Sequence, residues 1–269
     1  MENISKHIST SLIVTTYNWP QALALSLRSA FAQSLPPGEI IVADDGSAGD
    51  TRQLVDSLRP LCPVPLVHVW HEDRGFRLSA IRNKAIARAA GDYIIQTDGD
   101  IILSPRFVSD HVELAEPGFF VCGSRVKLPR EATERLMGRG EARLRLWQLP
   151  PAYMPNALRS RLLRRFMATR YARKVDHLRG CNMAFWKADA VKVNGYNEDL
   201  TQWGHEDGEF AYRLHFAGVR KKALKMGGVA YHLWHSEASK ANEQRHFDEL
   251  ARVIEGRLTW CANGIDKYL

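Results

Sequence analysis

Two aspartates, Asp98 and Asp100, stand one residue apart after one apolar run and before another. Burying carboxylates beside so much apolar chain is costly unless something neutralises their charge. A divalent cation bound by hard oxygen ligands is the simplest neutraliser. Such a cation suits a phosphate-rich substrate, because it stabilises charge on a departing phosphate. The pair therefore predicts a metal site, against the alternative of an acidic turn around Gly99.

Two other polar groups also follow apolar runs. Thr15 and Tyr17 offer a hydroxyl and a stacking ring to a nucleotide. Asp45, within the sequence Asp-Asp-Gly-Ser, either ends a strand in a turn or accepts from a base N–H or a ribose hydroxyl. Each signal is weak alone, and their order and spacing as a set are stronger.

Residues 203–209 read Trp-Gly-His-Glu-Asp-Gly-Glu and form a third cluster. Acids at a helix start can simply compensate the helix dipole. The preceding Trp203, however, offers a stacking face to a sugar, and an acid beside it can take a proton from a sugar hydroxyl. Further along, His232 and His235 are both candidates for a third metal ligand beside the aspartates.

Alternating apolar patterns must position these residues. They predict strands at 11–16, 39–43, 66–70 and 93–97, and helices at 20–32 and 79–90. Strands alternating with helices predict an α/β fold with a parallel sheet and right-handed crossovers. Ligands of such sheets bind at the carboxyl ends of the strands. We therefore expect Thr15, Asp45 and Asp98 to meet at one edge.

The second half of the chain has a different composition. Between Arg125 and Arg179 there are fifteen Lys or Arg and four Asp or Glu, a balance of 15 − 4 = +11, although the whole chain carries only +7. We predict three parts of one continuous domain: residues 1–128, a basic helical insertion or lid at 129–178, and residues 179–269. The last part should include helices at 206–217 and in the tail from residue 242.

One segment of the insertion, residues 159–170, places Leu162, Leu163, Phe166 and Met167 at helical spacing among arginines. One interpretation is a solvated basic helix whose apolar stripe packs on its own domain. The other is contact with an anionic membrane or an anionic substrate.

The composition, 45% hydrophobic and 25% charged, is that of a globular protein. No run of eighteen apolar residues predicts a spanning helix, and the N-terminus lacks the pattern of a signal peptide. We therefore expect a cytoplasmic protein, peripheral at the inner face of the membrane if the basic helix binds lipid. The four cysteines form no Cys-x-x-Cys pair, so they should be reduced.

Several segments together resemble a known family. Residues 11–18, 41–47 and 97–100 resemble family 2 glycosyltransferases of the GT-A fold. Residues 180–185 and 203–209 resemble the carboxyl-terminal part of galactosyl- and N-acetylgalactosaminyltransferases, including the bacterial chondroitin polymerase type. The resemblance covers most of 8–128 and 178–236, but neither the basic insertion nor the tail.

The resemblance implies a Rossmann-like nucleotide-binding sheet with helices on both faces and a smaller acceptor-side portion. Residues 1–128 would bind the nucleotide sugar, and residues 179–269 would bind the acceptor and carry the base. The implied enzyme is a metal-dependent inverting hexosyltransferase that uses Mn²⁺ or Mg²⁺. It would move galactose or N-acetylgalactosamine from a UDP-sugar to a glycan or lipid-linked acceptor in surface polysaccharide biosynthesis.

The resemblance also assigns roles on the donor side. Thr15, Tyr17 and Asp45 would hold the nucleoside. Arg82 would lie near the base or the diphosphate, and Asp98 would reach the ribose or the metal.

On the metal and acceptor side, the resemblance makes Asp100 a direct metal ligand and His232 the third protein ligand, with His235 competing for that place. Asp207 would be the catalytic base, and Glu206 would position the acceptor. Two departures from the family pattern stand out. Gly99 replaces a commoner Ala, which should change little, and His205 stands where Gly is frequent.

Other functions have weaker support. A non-catalytic nucleotide- or sugar-binding module of the same fold is the main alternative. A nucleic-acid binder would use the Arg-rich insertion, but no recognised reading motif accompanies that charge, so we expect no nucleic-acid partner. A dinucleotide oxidoreductase is disfavoured, because the turn after the first strand lacks the glycines that its fold needs.

Overall fold

Strands make up two sheets in this protein. The computed structural model describes residues 8–144, 154–172, 174–175, 178–201, 204–236 and 243–269. Within these residues the strands are β1 (Thr10–Thr16), β2 (Glu39–Asp44), β3 (Leu66–Trp70), β4 (Tyr93–Asp98), β5 (Ile101–Leu103), β6 (Phe119–Gly123), β7 (Arg125–Lys127), β8 (Met183–Trp186), β9 (Arg220–Leu224) and β10 (Ala230–His232).

Helices connect and cover the strands. In the same described residues they are α1 (Pro20–Phe31), α2 (Gly49–Leu58), α3 (Leu78–Arg88), α4 (Phe107–Leu114), α5 (Arg130–Arg139), α6 (Met154–Ala157), α7 (Arg161–Arg170), α8 (Lys187–Lys192), α9 (Glu206–Phe216) and α10 (Glu243–Gly256). Short 3₁₀ turns span Arg59–Leu61, Gly180–Asn182 and Ile265–Tyr268.

The large sheet has the order β3-β2-β1-β4-β8-β6-β9. Strands β1 to β4 are parallel, which confirms the α/β prediction for the first half. Strand β8 is antiparallel to both of its neighbours, β4 and β6. The sequence did not predict this insertion, because it depends on pairing between distant segments. A small sheet, β5-β10-β7, lies beside the site described below.

Side chains of β1 alternate between two apolar layers, as the pleat of a strand requires. Leu12 and Val14 belong to a buried cluster that includes Leu23 of α1. Ile13 belongs to a second cluster that includes Ile81 of α3. Helices therefore cover both faces of the sheet. The carboxyl ends of its central strands are left at the edge where polar side chains collect.

The predicted helices at 20–32, 79–90 and 206–217 agree with α1, α3 and α9, whereas α2, α4 and α8 were not predicted and the tail helix is shorter than predicted. Helix α2 was not predicted, because its apolar signal is weak: only Thr51, Val55 and Leu58 are buried. The predicted tail helix ends halfway. Helix α10 stops at Gly256, and Arg257 has φ +47°, in the left-handed region that ends a helix.

Helix α7 packs with the face opposite to the one expected. Arg164 and Ala168 are buried against the domain, whereas Leu162 is 82% and Phe166 58% exposed. The interpretation that the apolar stripe packs on its own domain is therefore wrong. The physical reason lies in α4, whose Asp110 and Glu113 pair with Arg164 and hold that side of α7 against the domain.

The cysteines and the helix lengths agree with the sequence. All four cysteines are free, and Cys62 alone among them is only partly buried. In the part of the chain that the structure describes, no helix combines the length and the apolar character needed to cross a bilayer.

Candidate active site

Three of the polar groups predicted from the sequence meet at the edge formed by β1, β2 and β4. Thr15 lies opposite Asp98 in the β1–β4 register, and its hydroxyl donates to Asp98 Oδ1 at 2.7 Å. The backbone N–H of Asp45 donates to the carbonyl of Thr16 at 3.0 Å. The predicted convergence of these residues is confirmed, because parallel strands bring their carboxyl ends to one edge.

Arg82 of α3 lies at the centre of this edge and is almost fully buried. Its Nη1 donates to Asp207 Oδ1 at 2.9 Å and lies 3.7 Å from Glu206 Oε1. Its Nη2 lies 3.4 Å from Asp98 Oδ1. Burial alone would lower the pKa of Arg82, but the three surrounding acids raise it above its ordinary value. One permanent cation therefore joins the strand-end acid to the two acids of α9.

Glu206 and Asp207 begin α9, and Glu206 lies deeper. Its Oε2 accepts from the backbone N–H of Gly204 at 3.0 Å. Burial raises the pKa of Glu206 to about 7, and the neighbouring Asp207 adds to this rise while Arg82 opposes it. Glu206 therefore exchanges its proton near neutral pH, at a point adjacent to Asp207.

Backbone and aromatic groups confine the Asp207 carboxylate. A Cβ atom on Gly180 would lie 1.9 Å from Asp207 Oδ2, so the glycine backbone passes directly against that oxygen. The hydroxyl of Tyr196 donates to Gln96 Oε1 at 3.1 Å and lies 3.5 Å from Asp207 Oδ1. No local pattern indicated Tyr196 or Gln96, because these two residues meet across 100 positions of the chain.

Asp100 meets two histidines in a group that fits a metal ion. One ligand atom each from Asp100, His232 and His235 lies within 4.8 Å of the others. The Nε2 atoms of His232 and His235 are 3.4 and 3.2 Å from Asp100 Oδ2. The other oxygen, Asp100 Oδ1, is buried without a hydrogen-bond partner. A carboxylate and two imidazoles suit Mn²⁺ or Zn²⁺, and the unpartnered Asp100 Oδ1 fits a role as a further oxygen ligand.

The two histidines differ in their surroundings. Burial lowers the pKa of His232, against the attraction of Asp100. A hydrogen bond with Asp100 raises the pKa of the more exposed His235. Both lie within reach of one ion, so the two candidates are not mutually exclusive. Asp98 is outside this group of three, and its Oδ1 is bound by Thr15 and Arg82.

Asp45, the residue that follows β2, carries a hydrogen-bonded carboxylate. Its Oδ1 lies 2.7 Å from His71 Nε2, and its Oδ2 accepts from the backbone N–H of Arg77 at 2.9 Å. Each carboxylate oxygen keeps a further acceptor position. Tyr17 is half exposed, and its hydroxyl donates to Asp73 Oδ2 at 2.9 Å. This face therefore offers a fixed acceptor and an accessible ring.

A cation that the sequence did not single out lies beside the Asp100 group. Arg125 and Lys127 of β7 lie opposite Ala230 and His232 of β10. Arg125 Nη1 is 4.0 Å from Cys181 Sγ. Among the described residues, no carboxylate lies within 4.0 Å of the Arg125 guanidinium. The one feature of the sequence that pointed to Arg125 was its position at the start of the basic stretch 125–179.

Two residues of the predicted sugar-contact cluster have different outcomes. Trp203 lies outside the described residues. His205 is the N-cap of α9 with φ +63°, in the left-handed region that favours Gly. At Gly99, an added Cβ would lie 3.0 Å from the Thr15 carbonyl, so Asp98-Gly99-Asp100 passes close to β1.

Comparison with known families agrees with this geometry. Residues 11–190 match the family described as Glycosyl transferase family 2. Residues 160–236 match the N-terminal domain of galactosyltransferase.

Curated relatives include polysaccharide synthases. Chondroitin synthase of Escherichia coli is 26% identical over 238 residues, which is 82% of this chain and 34% of that protein. Hyaluronan synthase of Pasteurella multocida is 29% identical over 243 residues, which is 84% of this chain and 25% of that protein. The chain thus spans about a quarter to a third of the length of these relatives.

Solved structures share the fold. The mannosyltransferase PcManGT from Pyrobaculum calidifontis, in complex with GDP-Man and Mn²⁺, has a TM-score of 0.64 and 20% identity, and the match covers 93% of this chain and 66% of that one. Staphylococcal TarS (S. aureus) has a TM-score of 0.61 and 19% identity, and the match covers 93% of this chain and 39% of that one. The fold is therefore GT-A. The family match spans more than half of this chain, so the chain belongs to glycosyl transferase family 2.

Proposed function

We propose that the chain is a metal-dependent inverting glycosyltransferase that moves a hexose from a UDP-sugar to an acceptor hydroxyl. The observation that carries this proposal is the Arg82 cluster. It joins a strand-end acid on the nucleotide side to a carboxylate pair at a helix start, beside the potential metal ligands Asp100, His232 and His235. A site that only stored a nucleotide would have no need of the second acid pair.

The donor lies along the carboxyl ends of β1, β2 and β4. Thr15, Tyr17 and Asp45 hold the nucleoside: the half-exposed Tyr17 ring stacks on the base, and the fixed Asp45 carboxylate accepts from it. Asp98 reaches the ribose or the metal. Arg82 contributes positive charge to this edge, and its fork geometry lets it contact two carboxylates at once.

Asp100 and His232, with His235 in reach, would hold a Mn²⁺ ion rather than Mg²⁺, because Mg²⁺ prefers oxygen ligands to imidazoles. Bound there, the ion would supply Lewis-acid stabilisation to the diphosphate leaving group. Arg125 adds a fixed cation beside the same group of residues, where negative charge increases during the reaction. These residues therefore gather positive charge on the leaving-group side.

Asp207 is the general base. The acceptor hydroxyl oxygen forms a bond to the anomeric carbon as the bond to the diphosphate oxygen breaks, and the hydroxyl proton passes to Asp207. A single displacement of this kind inverts the anomeric configuration. Arg82 and Tyr196 contact Asp207 Oδ1 and the Gly180 backbone lies against Oδ2, so together they fix the position of the carboxylate. Glu206 positions the acceptor.

The donor sugar and the acceptor are proposed from the relatives. The match to the N-terminal domain of galactosyltransferase supports galactose or N-acetylgalactosamine. The chondroitin and hyaluronan synthases support a glycan acceptor. Our proposal extends to a lipid-linked acceptor and to the synthesis of a surface polysaccharide. Because the chain spans only part of these relatives, the complete polymerising activity is not transferred to it.

Release of UDP from a panel of UDP-sugars, with Mn²⁺ and with EDTA, tests the proposal. Asp207→Asn should abolish turnover while leaving UDP affinity unchanged, and Asp56→Asn, at an exposed acid on α2, is the matched control. Equal turnover in wild type and Asp207→Asn would refute the role of the base. UDP binding with no turnover on any donor or acceptor would instead favour the non-catalytic module.

A further inference from the structure

The outer face of α7 carries an unusual concentration of exposed apolar side chains. Fifteen large apolar side chains are exposed among the described residues, and five of them lie between residues 158 and 171. We call these five the α7 apolar face: Leu158, Leu162, Leu163, Phe166 and Tyr171. A patch this dense on a globular surface marks an interaction site rather than ordinary exposed residues.

The arginines of this segment hold α7 to α4 from the opposite side. Arg164 is fully buried and pairs with Asp110 and Glu113, at 3.1 Å from Asp110 Oδ1. Three more arginines bind the same two acids, at 2.7 to 2.8 Å: Arg159, Arg161 and Arg165. An ordinary surface helix buries its apolar side, whereas α7 buries Arg164 and Ala168 and leaves its large apolar side chains exposed. Its apolar face is therefore available to a partner.

The charge around this face selects the partner. Four arginines face two acids, which leaves 4 − 2 = +2, and Arg170, 4.2 Å above the Phe166 ring, adds one more. Outside residues 125–179 the chain carries 7 − 11 = −4. A second copy would bring the same cationic surplus against itself, whereas an anionic surface complements it. Apolar side chains flanked by arginines are the pattern of a helix lying in a bilayer interface.

We propose that the α7 apolar face binds the surface of an anionic lipid bilayer. The helix axis lies parallel to the membrane, with Leu162 and Phe166 in the acyl region. Arg170, which lies over the Phe166 ring, extends its guanidinium to a lipid phosphate while its stem contacts apolar surface. The proposal extends the proposed function only by bringing the site to a lipid-linked acceptor.

Vesicle sedimentation with the full chain tests the proposed membrane binding. The assay contains no donor and no metal, so a negative result would count against membrane binding and not against the proposed catalysis. The wild type should bind vesicles of phosphatidylcholine with phosphatidylglycerol and should bind pure phosphatidylcholine poorly. The double variant Leu162→Ser, Phe166→Ser should weaken binding by at least about tenfold. Arg170→Gln should weaken it by about fivefold. Leu61→Ser, at an exposed leucine on another surface, should bind like wild type.

A fluorescence measurement protects the test against misfolding of the double variant. Phe166→Trp should show a blue-shifted emission on anionic vesicles, because its ring leaves water. Three outcomes would overturn the proposal: a wild type that binds neither kind of vesicle, a double variant that binds as tightly as wild type, or no shift in Phe166→Trp. A wild-type dimer in sedimentation velocity that the double variant converts to monomer would assign the face to a second copy instead.

Discussion

Replacing Glu206 with Gln isolates the effect of ionising a buried acid in the Arg82 cluster. Glu206 is 6% exposed and lies 3.7 Å from the Arg82 guanidinium. Its Oε2 accepts a hydrogen bond from the Gly204 backbone, which the amide oxygen of Gln can also accept. The substitution therefore keeps shape and hydrogen bonding and removes only the ability to ionise.

The sign of the effect follows from the direction of the shift. Burial raises the pKa of Glu206 from 4.5 to about 7, so the folded state binds a proton that the unfolded state has released at intermediate pH. Stability therefore falls as pH rises from about 4.5 to about 7. Each pKa unit corresponds to about 1.4 kcal/mol, so the ionised Glu206 costs about 3 kcal/mol above pH 7. The Gln variant lacks this cost.

Urea unfolding at several pH values measures the difference. The free energy of unfolding of Glu206→Gln minus that of wild type should rise through this pH window and reach about 3 kcal/mol near pH 8. Glu131→Gln, at an exposed acid on α5, should show no such rise. A pH-independent difference, or a variant less stable than wild type at pH 8, would refute this account of the cluster.

The same variant should retain turnover, in contrast to Asp207→Asn, because Gln can still orient an acceptor hydroxyl. Complete loss of turnover in Glu206→Gln with unchanged UDP affinity would show that the reaction needs the ionisable carboxyl group of Glu206 and not only its shape.

Gly180→Ala should reduce kcat by about a hundredfold, since its Cβ would displace the Asp207 carboxylate, and kinetics with UDP titration should show unchanged donor affinity. Arg125→Ala should lower the affinity for UDP in EDTA by about tenfold and leave the affinity for UMP unchanged, and calorimetry measures both affinities. Equal losses of affinity for the two nucleotides would exclude contact between Arg125 and the terminal phosphate. His232→Ala should lower Mn²⁺ affinity more than His235→Ala does, because His235 is the more exposed of the two proposed ligands. Electron paramagnetic resonance measures the Mn²⁺ affinity of each variant, and an unchanged affinity in His232→Ala would exclude His232 as a ligand.

The edge of the sheet was predictable because its signals are local. Continuous apolar runs identify β1, β2 and β4 as central strands, and the polar residues that follow each run must lie at the carboxyl ends. Thr15, Asp45 and Asp98 therefore met where the pattern predicts. The Asp100 group was predictable only in part, since the spacing of His232 and His235 cannot tell which of them faces the acid.

The rest depends on contacts that no local pattern contains. Arg82 and Asp207 are 125 residues apart, so the ion pair at the centre of the site follows only from the packed fold. Helix α7 illustrates the same limit. Helical spacing groups Leu162 with Phe166 on one side, but whether that side faces inward is decided by Asp110 and Glu113 on α4. Periodicity defines a face, and the neighbouring element decides its direction.

Strand β8 joins residues 1–128 and 179–269, the proposed nucleotide and acceptor parts, through one sheet. It comes from the segment after residue 179, yet it pairs with β4 on one side and β6 on the other. Residues 1–128 alone would lack the strand that joins these two, and β4 would become an exposed edge beside Asp98. The 3₁₀ turn leading into β8 contains Gly180, whose backbone lies against Asp207. The strand that completes the donor sheet therefore also fixes the proposed base, so a change that loosens β8 should impair donor binding and acceptor activation together.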